Sequence, residues 1–357
     1  MAEETPAGGD VPQATVDFGP TKGLVVQTAD RQSTFGLHVA AWTRLDIDVS
    51  LPEPRSTVSI PIARPAVEAA FLKRRLYLFL QPEFGTGDPR LLDFFVDGQL
   101  TDGVAVRAGL FRTPHTRALL TPIVQLQLTQ RGPVVDEFQL GRDLGGMLFG
   151  TRGGFEYFVG VFNGSRVSDF ADLDPVPMPV SRFVYNFFAP VAYDQVPAAG
   201  GVEPRPGLAV GVSAAYRVRN IPAEETTGGD VRREERSWHG GADLSVAGGP
   251  ASLQVEGFVR GTRLMDGSPR EDGGAYVQGG VFLWPHVAQL ASRFGWIRRD
   301  DGQHFRSSEV GLNGYGNVGQ TMLGHHLKAT VVYAFSRPGT DLNRDTHRMT
   351  CQTQVWF

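Results

Sequence analysis

The sequence has 357 residues, a net charge of −4, 41% hydrophobic residues and a mean hydropathy of −0.16. This balance argues against a disordered chain, which is poor in apolar residues, and against a nucleic-acid-binding protein, which carries a strongly basic face. The 44 glycines argue against a helical protein, because glycine weakens helix interiors. The single cysteine, Cys351, excludes an internal disulfide framework, and we expect it to be a small residue on a strand.

The N-terminal region has no obvious targeting or anchoring segment. Its first residues, MAEETPAGGD, are acidic and lack the apolar core of a secretory signal. We therefore expect a mature N-terminus to which a start methionine has been added, so the missing signal says little about the compartment. No stretch of the sequence approaches the ~20 apolar residues of a membrane-spanning helix.

Apolar and polar residues alternate with a period of two along most of the chain. In residues 35–47, for example, Phe35 and Leu37 fall on one face and His38 and Arg44 on the other. A helix would spread such sets around its whole surface, so these segments are predicted strands. Sixteen strands are predicted: 23–29, 34–48, 67–84, 91–100, 104–112, 141–150, 155–164, 180–190, 206–219, 236–247, 251–263, 273–284, 287–298, 305–316, 323–336 and 346–357.

The connections between these strands fall into two groups that alternate along the chain. Tight turns rich in Gly, Pro, Asp or Asn are predicted at 101–103, 151–154, 248–250, 285–286 and 317–321. Longer and more polar connections are predicted at 113–140, 165–179 and 220–235. The stretches 49–65 and 190–205 are exceptions, because they are fairly long although they fall among the tight turns.

An even number of antiparallel strands with alternating faces and one-sided loops predicts an all-β protein, a transmembrane antiparallel β-barrel of sixteen strands. An open sheet edge in lipid would leave backbone groups unpaired, so a spanning sheet must close. The alternative is a soluble β-sandwich binding module, in which the apolar faces form a shared core. Polar faces that carry Arg, Glu and Gln through mid-strand favour the barrel, with lipid outside and water inside.

Residues 91–164 contain three ordered motifs: RAGLFRTP at 107–114, GRDLGG at 141–146 and GVFNG at 160–164. This arrangement resembles the phosphate-selective porin O and P family of outer-membrane channels. FLKRRLYL at 71–78 is similar to the arginine-rich early strand of that family, and VGLNGYG at 310–316 to a late strand. The resemblance covers most of the predicted barrel and implies a sixteen-stranded barrel, usually a homotrimer, that passes anions.

Together, the pattern and the resemblance predict a porin of the bacterial outer membrane. We expect a water-filled channel for passive diffusion of small solutes, biased toward small anionic solutes such as phosphate and surrounded by outer-membrane lipids. Residues 1–22 are predicted to be an N-terminal periplasmic segment and residues 23–357 a single pore domain. The alternative within the same fold is a plugged or non-conducting barrel with a structural or adhesive role.

The outward placing of each apolar set assigns the opposite residues to the inner wall. The predicted pore-lining basic residues are Arg44, Arg75, Arg107, Arg217, Arg219, Arg260, Arg293, Lys328 and Arg348. Arg75, and not Arg74, is predicted to face the pore, because it alternates with the following leucines, which are placed on the outer face. The predicted inward acids are fewer, namely Asp46, Asp97, Asp243, Glu256 and Glu309. A cationic wall favours anions, although pairs such as Arg293 with Glu309 across neighbouring strands would cancel part of its charge.

The connection 113–140 is the longest and is the predicted constriction loop. Its charged residues Arg117, Arg131, Asp136 and Glu137 could fold inward and narrow the pore. The alternatives are a surface loop or a latch between subunits of a trimer.

The chain ends on an alternating strand with Trp356 and Phe357. We expect both aromatic rings at the periplasmic membrane interface, and the terminal aromatic resembles the signal that outer-membrane barrel assembly machinery reads. No catalytic residues are predicted, because GxSxG is absent and no Ser, His and acid share an outward face. No cofactor is predicted, and no metal either, because the neighbouring His325 and His326 would point to opposite faces of a strand.

Overall fold

The computed structural model describes residues 14–19, 22–50, 54–85, 87–164, 176–201, 203–221, 233–263, 267–318, 321–338 and 345–357. Its strands are β1 (Thr15–Gly19), β2 (Gly23–Gln27), β3 (Thr34–Asp48), β4 (Arg55–Phe71), β5 (Leu76–Glu83), β6 (Arg90–Thr101), β7 (Val104–Arg112), β8 (Arg142–Arg152), β9 (Phe155–Phe162), β10 (Met178–Phe188), β11 (Gly207–Ile221), β12 (Arg233–Gly248), β13 (Ala251–Arg263), β14 (Pro269–Trp284), β15 (Ala288–Arg298), β16 (His304–Val318), β17 (Thr321–Pro338) and β18 (Thr346–Trp356). Its helices are α1 (Arg117–Leu120) and α2 (Pro133–Phe138), with 3-10 turns at Ile123–Gln125 and Pro197–Gly200. None of these helices is long and apolar enough to cross a membrane.

Sixteen of the described strands, β3 to β18, close into one antiparallel barrel. Each strand pairs with the next along the chain, and β18 returns to pair with β3 from Arg348–Asp48 to Trp356–Ala40. Because the sheet is closed, every strand of the barrel pairs with a neighbour on each side, as a sheet that spans a membrane requires. The predicted fold class is therefore confirmed, and the open β-sandwich alternative is wrong.

The faces of the strands follow the predicted alternation. On β11, for example, Val210, Val212 and Tyr216 are exposed on the outer surface, whereas Ser213 between them is buried inside. The exposed apolar side chains recur around the outside of the barrel, and the polar side chains point into the lumen. The inside therefore holds most of the polar chemistry of this chain.

The predicted number of strands is right, but two of the predicted strands are wrong. One is two strands in the structure, and the other is not part of the ring. Predicted strand 67–84 is a hairpin, because residues 72–75 form a turn between β4 and β5. The predicted connection 49–65 contains most of β4. Predicted strand 23–29 corresponds to β2, which pairs with β1 and the first residues of β3 and is not one of the sixteen strands of the ring.

The two ends of the barrel differ, as predicted. One end, called the turn end here, carries the tight turns at 72–75, 102–103, 153–154, 249–250 and 285–287, and also the C-terminus. The other, called the loop end, carries the long connection 113–141. The predicted connections 165–179 and 220–235 lie largely outside the described residues. The stretch 189–206 is an exception, because it joins β10 to β11 at the turn end and is long.

The wall is lower at the loop end between β4 and β9 than around the rest of the barrel. Strand β5 has 8 residues whereas β4 has 17. Because β5 pairs with β4 only from Val67 to Phe71, the residues of β4 nearest the loop end have no partner on that side among the described strands. Val58 and Ile60 are exposed there, at 78% and 54%. This stretch is therefore an open apolar edge in an otherwise closed sheet.

Candidate functional site

The connection 113–140 folds into the barrel and does not lie on its surface. It contains α1 and α2, and its side chains Leu126, Leu128 and Val135 are at most 1% exposed. Thr116 caps the start of helix α1, because its hydroxyl accepts a hydrogen bond from the amide of Leu119 at 3.0 Å. The loop therefore lies inside the lumen, and its role as a constriction stays a prediction.

Three predicted pore-lining cations hold this loop by its backbone. Lys328 Nζ donates to the carbonyl of Leu126 at 2.7 Å, Arg44 Nη2 to Thr129 at 3.2 Å, and Arg293 Nη1 to Gln130 at 2.9 Å. A buried carbonyl without a donor would cost free energy, so these bonds fix the loop to the wall. The three side chains face inward, and each uses at least one donor to hold the loop.

Predicted pairing across strands accounts for part of the inner charge. Arg293 donates to both carboxylate oxygens of Glu309 on the next strand, at 2.7 and 2.8 Å. Arg260 binds Asp272 and also Glu137 of the loop, each at 2.7 Å. The charge of these arginines is therefore balanced where they lie.

Glu256 joins the start of α1 to the wall. Its two carboxylate oxygens accept the amides of Arg117 and Ala118, each at 2.8 Å. Exposed amides at a helix start favour a negative partner. The guanidinium of Arg117 reaches past the helix and donates to the carbonyls of Val191 and Ala192 at 2.8 and 2.7 Å.

Val191 and Ala192 belong to a second insert, residues 189–206, which enters the barrel from the turn end. Its amide at Gln195 donates to the carbonyl of Gln125 in the first loop at 3.3 Å. The side-chain oxygen of Gln195 accepts from the amide of Gln127 at 2.9 Å and from Gln278 of the wall at 2.7 Å. The two inserts therefore meet inside the barrel, against β13 and β14.

The open space in the lumen lies on the opposite side, between the loop and strands β3 to β9. It is a cavity of about 520 Å³. Its apolar lining includes Phe79, Phe95, Phe111, Phe149, Phe158, Met147, Ile123 and Val124. Its charged lining consists of Arg64, Arg107, Arg112, Asp93 and Glu68, with His38 beside them. The cavity therefore combines an aromatic surface with guanidinium groups.

Arg112 and Arg131 hold a turn of the loop at the edge of this cavity. Arg112 Nη1 donates to the carbonyls of Leu119, Leu120 and Thr121 at 3.1–3.3 Å. Arg131 donates to the carbonyls of Ala118 and Thr121 at 2.7 and 2.8 Å. Carbonyl groups carry no net charge, so both guanidinium charges remain uncompensated by these bonds.

Arg64 and Arg142 lie within electrostatic range of Arg112 and Arg131. Arg142 binds both oxygens of Asp93, at 3.0 and 2.9 Å, and Arg64 pairs with Glu83. Asp136 of the loop lies within electrostatic range of Arg131 as well, so four guanidinium groups face three carboxylates among the described residues. This arginine cluster, defined by Arg64, Arg112, Arg131 and Arg142, has an excess of one positive charge.

Nearer the turn end, Arg107 faces inward as predicted. It binds both oxygens of Asp97, at 2.7 and 2.8 Å, and its guanidinium carbon lies 3.7 Å from the centre of the Phe95 ring. Stacking on the ring and pairing with the carboxylate hold the guanidinium flat against the wall. Arg107 is one of the residues that line the cavity.

The remaining predicted residues are placed as follows. Arg75 lies in the exposed turn 72–75, so its prediction as a residue of the inner wall is wrong. Arg348 is exposed in β18 near the loop end, and Arg217 is half-buried on the inner face of β11. Arg219 lies in β11, and its side chain is outside the described part of the structure. In the loop, Asp136 accepts a hydrogen bond from Gln139 at 3.2 Å.

The last two residues are ladder residues. The amide and carbonyl of Phe357 exchange hydrogen bonds with Val39, at 3.1 and 2.7 Å. The ring of Trp356 stacks on His326 with centres 4.4 Å apart and lines the cavity. The expected position of Trp356 at the membrane interface is therefore wrong, because its ring points into the lumen.

Four residues of the arginine cluster region escaped the sequence reasoning: Arg64, Arg112, Arg142 and Asp93. Arg64 lies in β4, which was predicted as a connection. The alternation of Val58, Ile60 and Ile62 before it was the signal for a strand there. Arg112 and Arg142 appeared only as parts of motifs. No three His, Cys, Asp or Glu side chains of the described residues come together as a metal site.

Comparison with known proteins places this barrel among outer-membrane proteins by fold. No protein-family model matches the chain, and no curated protein matches it. An anion-selective porin from Comamonas acidovorans is 10% identical with a TM-score of 0.66, covering 91% of this chain and 100% of that one. The channel DcaP of Acinetobacter baumannii is 11% identical with a TM-score of 0.62, covering 91% and 98%.

A third similar structure is the trimer form of OmpT, an outer membrane protein of Vibrio cholerae. It is 10% identical with a TM-score of 0.63, covering 91% of this chain and 100% of that one. At these identities the likeness concerns the fold. The chain therefore has the same closed antiparallel barrel as these outer-membrane proteins, and the resemblance to the phosphate-selective porins stays a prediction.

Proposed function

We propose that this protein is an outer-membrane porin through which small solutes diffuse passively, with a preference for anions. The observation that carries the proposal is the arginine cluster beside the cavity on the β3 to β9 side of the lumen. Arg112 and Arg131 donate to carbonyl groups of the loop, which carry no net charge to offset that of the guanidinium groups. An inner wall with excess guanidinium charge lowers the energy of an anion there and raises that of a cation.

Guanidinium groups bind phosphate and carboxylate through paired N–H donors, so a phosphate bias fits the same cluster. General anion preference needs only the excess charge, whereas a phosphate site needs free donors that converge. Chloride current through the channel, measured with increasing phosphate, separates the two: a site produces block at low phosphate concentration, and a general bias produces none.

The test of anion preference is the reversal potential of the purified protein in a planar bilayer under a KCl gradient. Arg112→Gln should shift that potential toward the cation side, whereas Arg112→Lys, which keeps the charge, should stay close to the wild type. Arg152→Gln is the matched control, because Arg152 is exposed at the turn end of β8. An unchanged reversal potential in Arg112→Gln would show that the arginine cluster does not cause the anion preference.

A second candidate function is that of a plugged barrel with a structural or adhesive role. The specific observation in its favour is the contact between the two inserts, through Gln125 and Gln195, in the part of the lumen that they fill. A plugged barrel predicts no conductance steps in the bilayer, although its migration on gels would still change on heating. Discrete steps in the wild type decide against it.

We further propose that the barrel sits in the bacterial outer membrane, where lipids contact its exposed apolar side chains. Trp356 and Phe357 would end the strand that the assembly machinery recognises. Phe357→Ser keeps the length of the last strand, so it should reduce insertion into the membrane in cells while leaving refolding in detergent intact. Failure to refold in detergent would instead mean that the ring of Phe357 stabilises the barrel.

We propose a homotrimer, supported by the open edge of β4. Val58, Ile60 and the nearby Phe84 are exposed beside backbone that has no strand partner on that side. Unpaired backbone facing lipid is unfavourable, so a neighbouring subunit is a suitable cover. Ile60→Lys should shift the mass of the protein in detergent from trimer to monomer, whereas Val331→Lys, on the outer face of β17, should not. Such a charge can also hinder insertion, so both variants are compared after refolding.

A further inference from the structure

Outward-facing arginines lie together at the loop end of strands β12 to β15. Arg236 and Arg263 are direct partners in the β12–β13 ladder, and Arg298 ends β15 on the same outer face. All three are exposed. Among the described residues, neither Arg263 nor Arg298 has an ion-pair partner, so the barrel does not itself neutralise their charge.

A surface pocket of about 550 Å³ lies at Arg236 and Arg263, and Arg298 lines the groove next to it. It is lined by Arg236, Arg263, Arg270, Tyr216, Trp238 and Pro269, with Glu271 and Asp300 as its acids. Arg270 is partly neutralised, because it binds Asp272 at 3.0 Å. This region, called the outer arginine pocket, lies outside the barrel and is separate from the arginine cluster in the lumen. Together with Arg298 beside it, four arginines face the three carboxylates of Glu271, Asp272 and Asp300, an excess of one positive charge.

An apolar groove of about 850 Å³ begins beside the outer arginine pocket and shares Glu271 with it. Small residues form its floor: Gly240, Ala242, Gly257, Gly273 and Ala275. Apolar side chains such as Val212, Leu244 and Val259 form its sides. Trp296 lies at the part of the groove nearest the loop end of the barrel. The strands that frame it run on toward the turn end, so the groove descends along the outer surface.

The order of chemistry along this surface is arginine, then tryptophan and tyrosine, then apolar groove. A phosphorylated lipid presents the same order, with an anionic headgroup, an interfacial region and acyl chains. Arginine binds phosphate through paired donors, and Tyr and Trp favour the membrane–water interface. A groove whose floor consists of Gly and Ala admits an acyl chain that a wall of Val and Leu side chains would exclude.

We propose that the outer arginine pocket and its groove form a binding site for a phosphorylated lipid of the surrounding leaflet, with one acyl chain in the groove. The proposal rests on the proposed membrane location, but it does not depend on whether the barrel conducts. The site would attach an anionic lipid to one side of the barrel, at the loop end.

The headgroup half of the site is tested with the double variant Arg263→Gln/Arg298→Gln. Diphosphoryl lipid A is titrated into the detergent-purified protein, and bound lipid is counted by native mass spectrometry. We expect at least about tenfold weaker binding to the double variant than to the wild type, and unchanged binding to the control Arg152→Gln. Equal binding to all three would overturn the proposal.

Two further ligands distinguish the binding of a membrane lipid from the binding of a free anion. Phosphatidylcholine, whose headgroup has no net charge, should bind more weakly than diphosphoryl lipid A. Inorganic phosphate, even in excess, should not displace the bound lipid, because it lacks the chain that occupies the groove. Displacement by phosphate would mean that the arginines bind an ion only, and equal binding of phosphatidylcholine would contradict the role of charge.

The chain half of the site is tested with Gly257→Leu. A side chain at Gly257 would point into the groove, and its Cβ would meet only Ala275 Cβ at 4.0 Å, so the backbone can accept it. The variant should bind diphosphoryl lipid A more weakly but leave the barrel folded. Gly146→Leu, at a similarly open position on β8, is the matched control. Undiminished binding in Gly257→Leu would exclude the groove from the site.

Discussion

The amide of Gln195 donates to the carbonyl of Gln125 at 3.3 Å, and this bond joins two segments that enter the barrel from opposite ends. One is the loop 113–140 from the loop end, and the other is the insert 189–206 from the turn end. Their junction closes the lumen against β13 and β14, so the cavity that remains lies beside β3 to β9. The open part of the lumen therefore lies across the barrel from this contact.

Loss of the junction should widen the passage. In Gln195→Ala, the backbone amide of Gln127 loses its acceptor and the side-chain amide of Gln278 keeps only Gln127 Oε1. A buried donor left without a partner costs about 1–3 kcal/mol. We expect a lower unfolding temperature and larger or noisier conductance steps in the bilayer. Gln303→Ala, in an exposed turn, is the control. Conductance identical to the wild type would mean that the junction does not limit the passage.

The buried pair of Arg293 and Glu309 should be sensitive to the removal of one partner. Arg293→Met leaves Glu309 charged in a site that is 8% exposed, which should cost about 3–5 kcal/mol. Arg293→Met/Glu309→Leu should recover much of that loss, because no unpaired charge remains. Denaturant unfolding of the refolded barrel measures both. A double variant no more stable than the single one would show that the loop contact to Gln130, and not the pair, is what Arg293 provides.

Acid should loosen the loop through His115. Burial, together with the nearby Arg182, lowers the pKa of His115 to about 4. Because this pKa is below the ordinary value of about 6.5, the docked loop favours the neutral ring. Its stability is therefore full above about pH 6.5 and falls as pH drops toward 4. Conductance recorded across this range should change in the wild type and change less in His115→Phe. Identical pH profiles would rule out this histidine.

Glu256 should position α1 by charge as well as by shape. In Glu256→Gln the side chain keeps its size but can accept from only one of the amides of Arg117 and Ala118 through its oxygen. We expect the loop to be cut faster by protease added to the folded barrel, since its first helix is less well held. The comparison is with Glu203→Gln, which lies in the exposed end of the second insert. Equal cutting rates would mean that α1 is held by its packing alone.

The alternation of residues predicted the fold class, because a barrel with lipid outside and water inside imposes a period of two on every strand. Two strand errors have physical causes. The turn between β4 and β5 uses Leu72, Lys73 and Arg74 with positive φ of 52–67°, so it carries no Gly or Asn signal. β4 contains Pro61 and Pro65, which argue against a strand, yet both precede the β4–β5 ladder, which begins at Val67.

The candidate site was predictable only in part. Sequence parity placed Arg44, Arg293 and Lys328 on the inner wall, where they are. It could not reveal that each donates to a loop carbonyl, because such a bond depends on how residues far apart in the chain meet. The arginine cluster was missed for the same reason: Arg64 and Arg131 come together only after the loop has folded inward.

The most direct test of the account is the reversal potential of the wild-type barrel in a planar bilayer under a KCl gradient, compared with Arg112→Gln and Arg112→Lys. We expect chloride to be more permeant than potassium in the wild type and in Arg112→Lys, and this preference to fall in Arg112→Gln. A wild-type barrel that prefers potassium, or one that shows no conductance, would contradict this expectation.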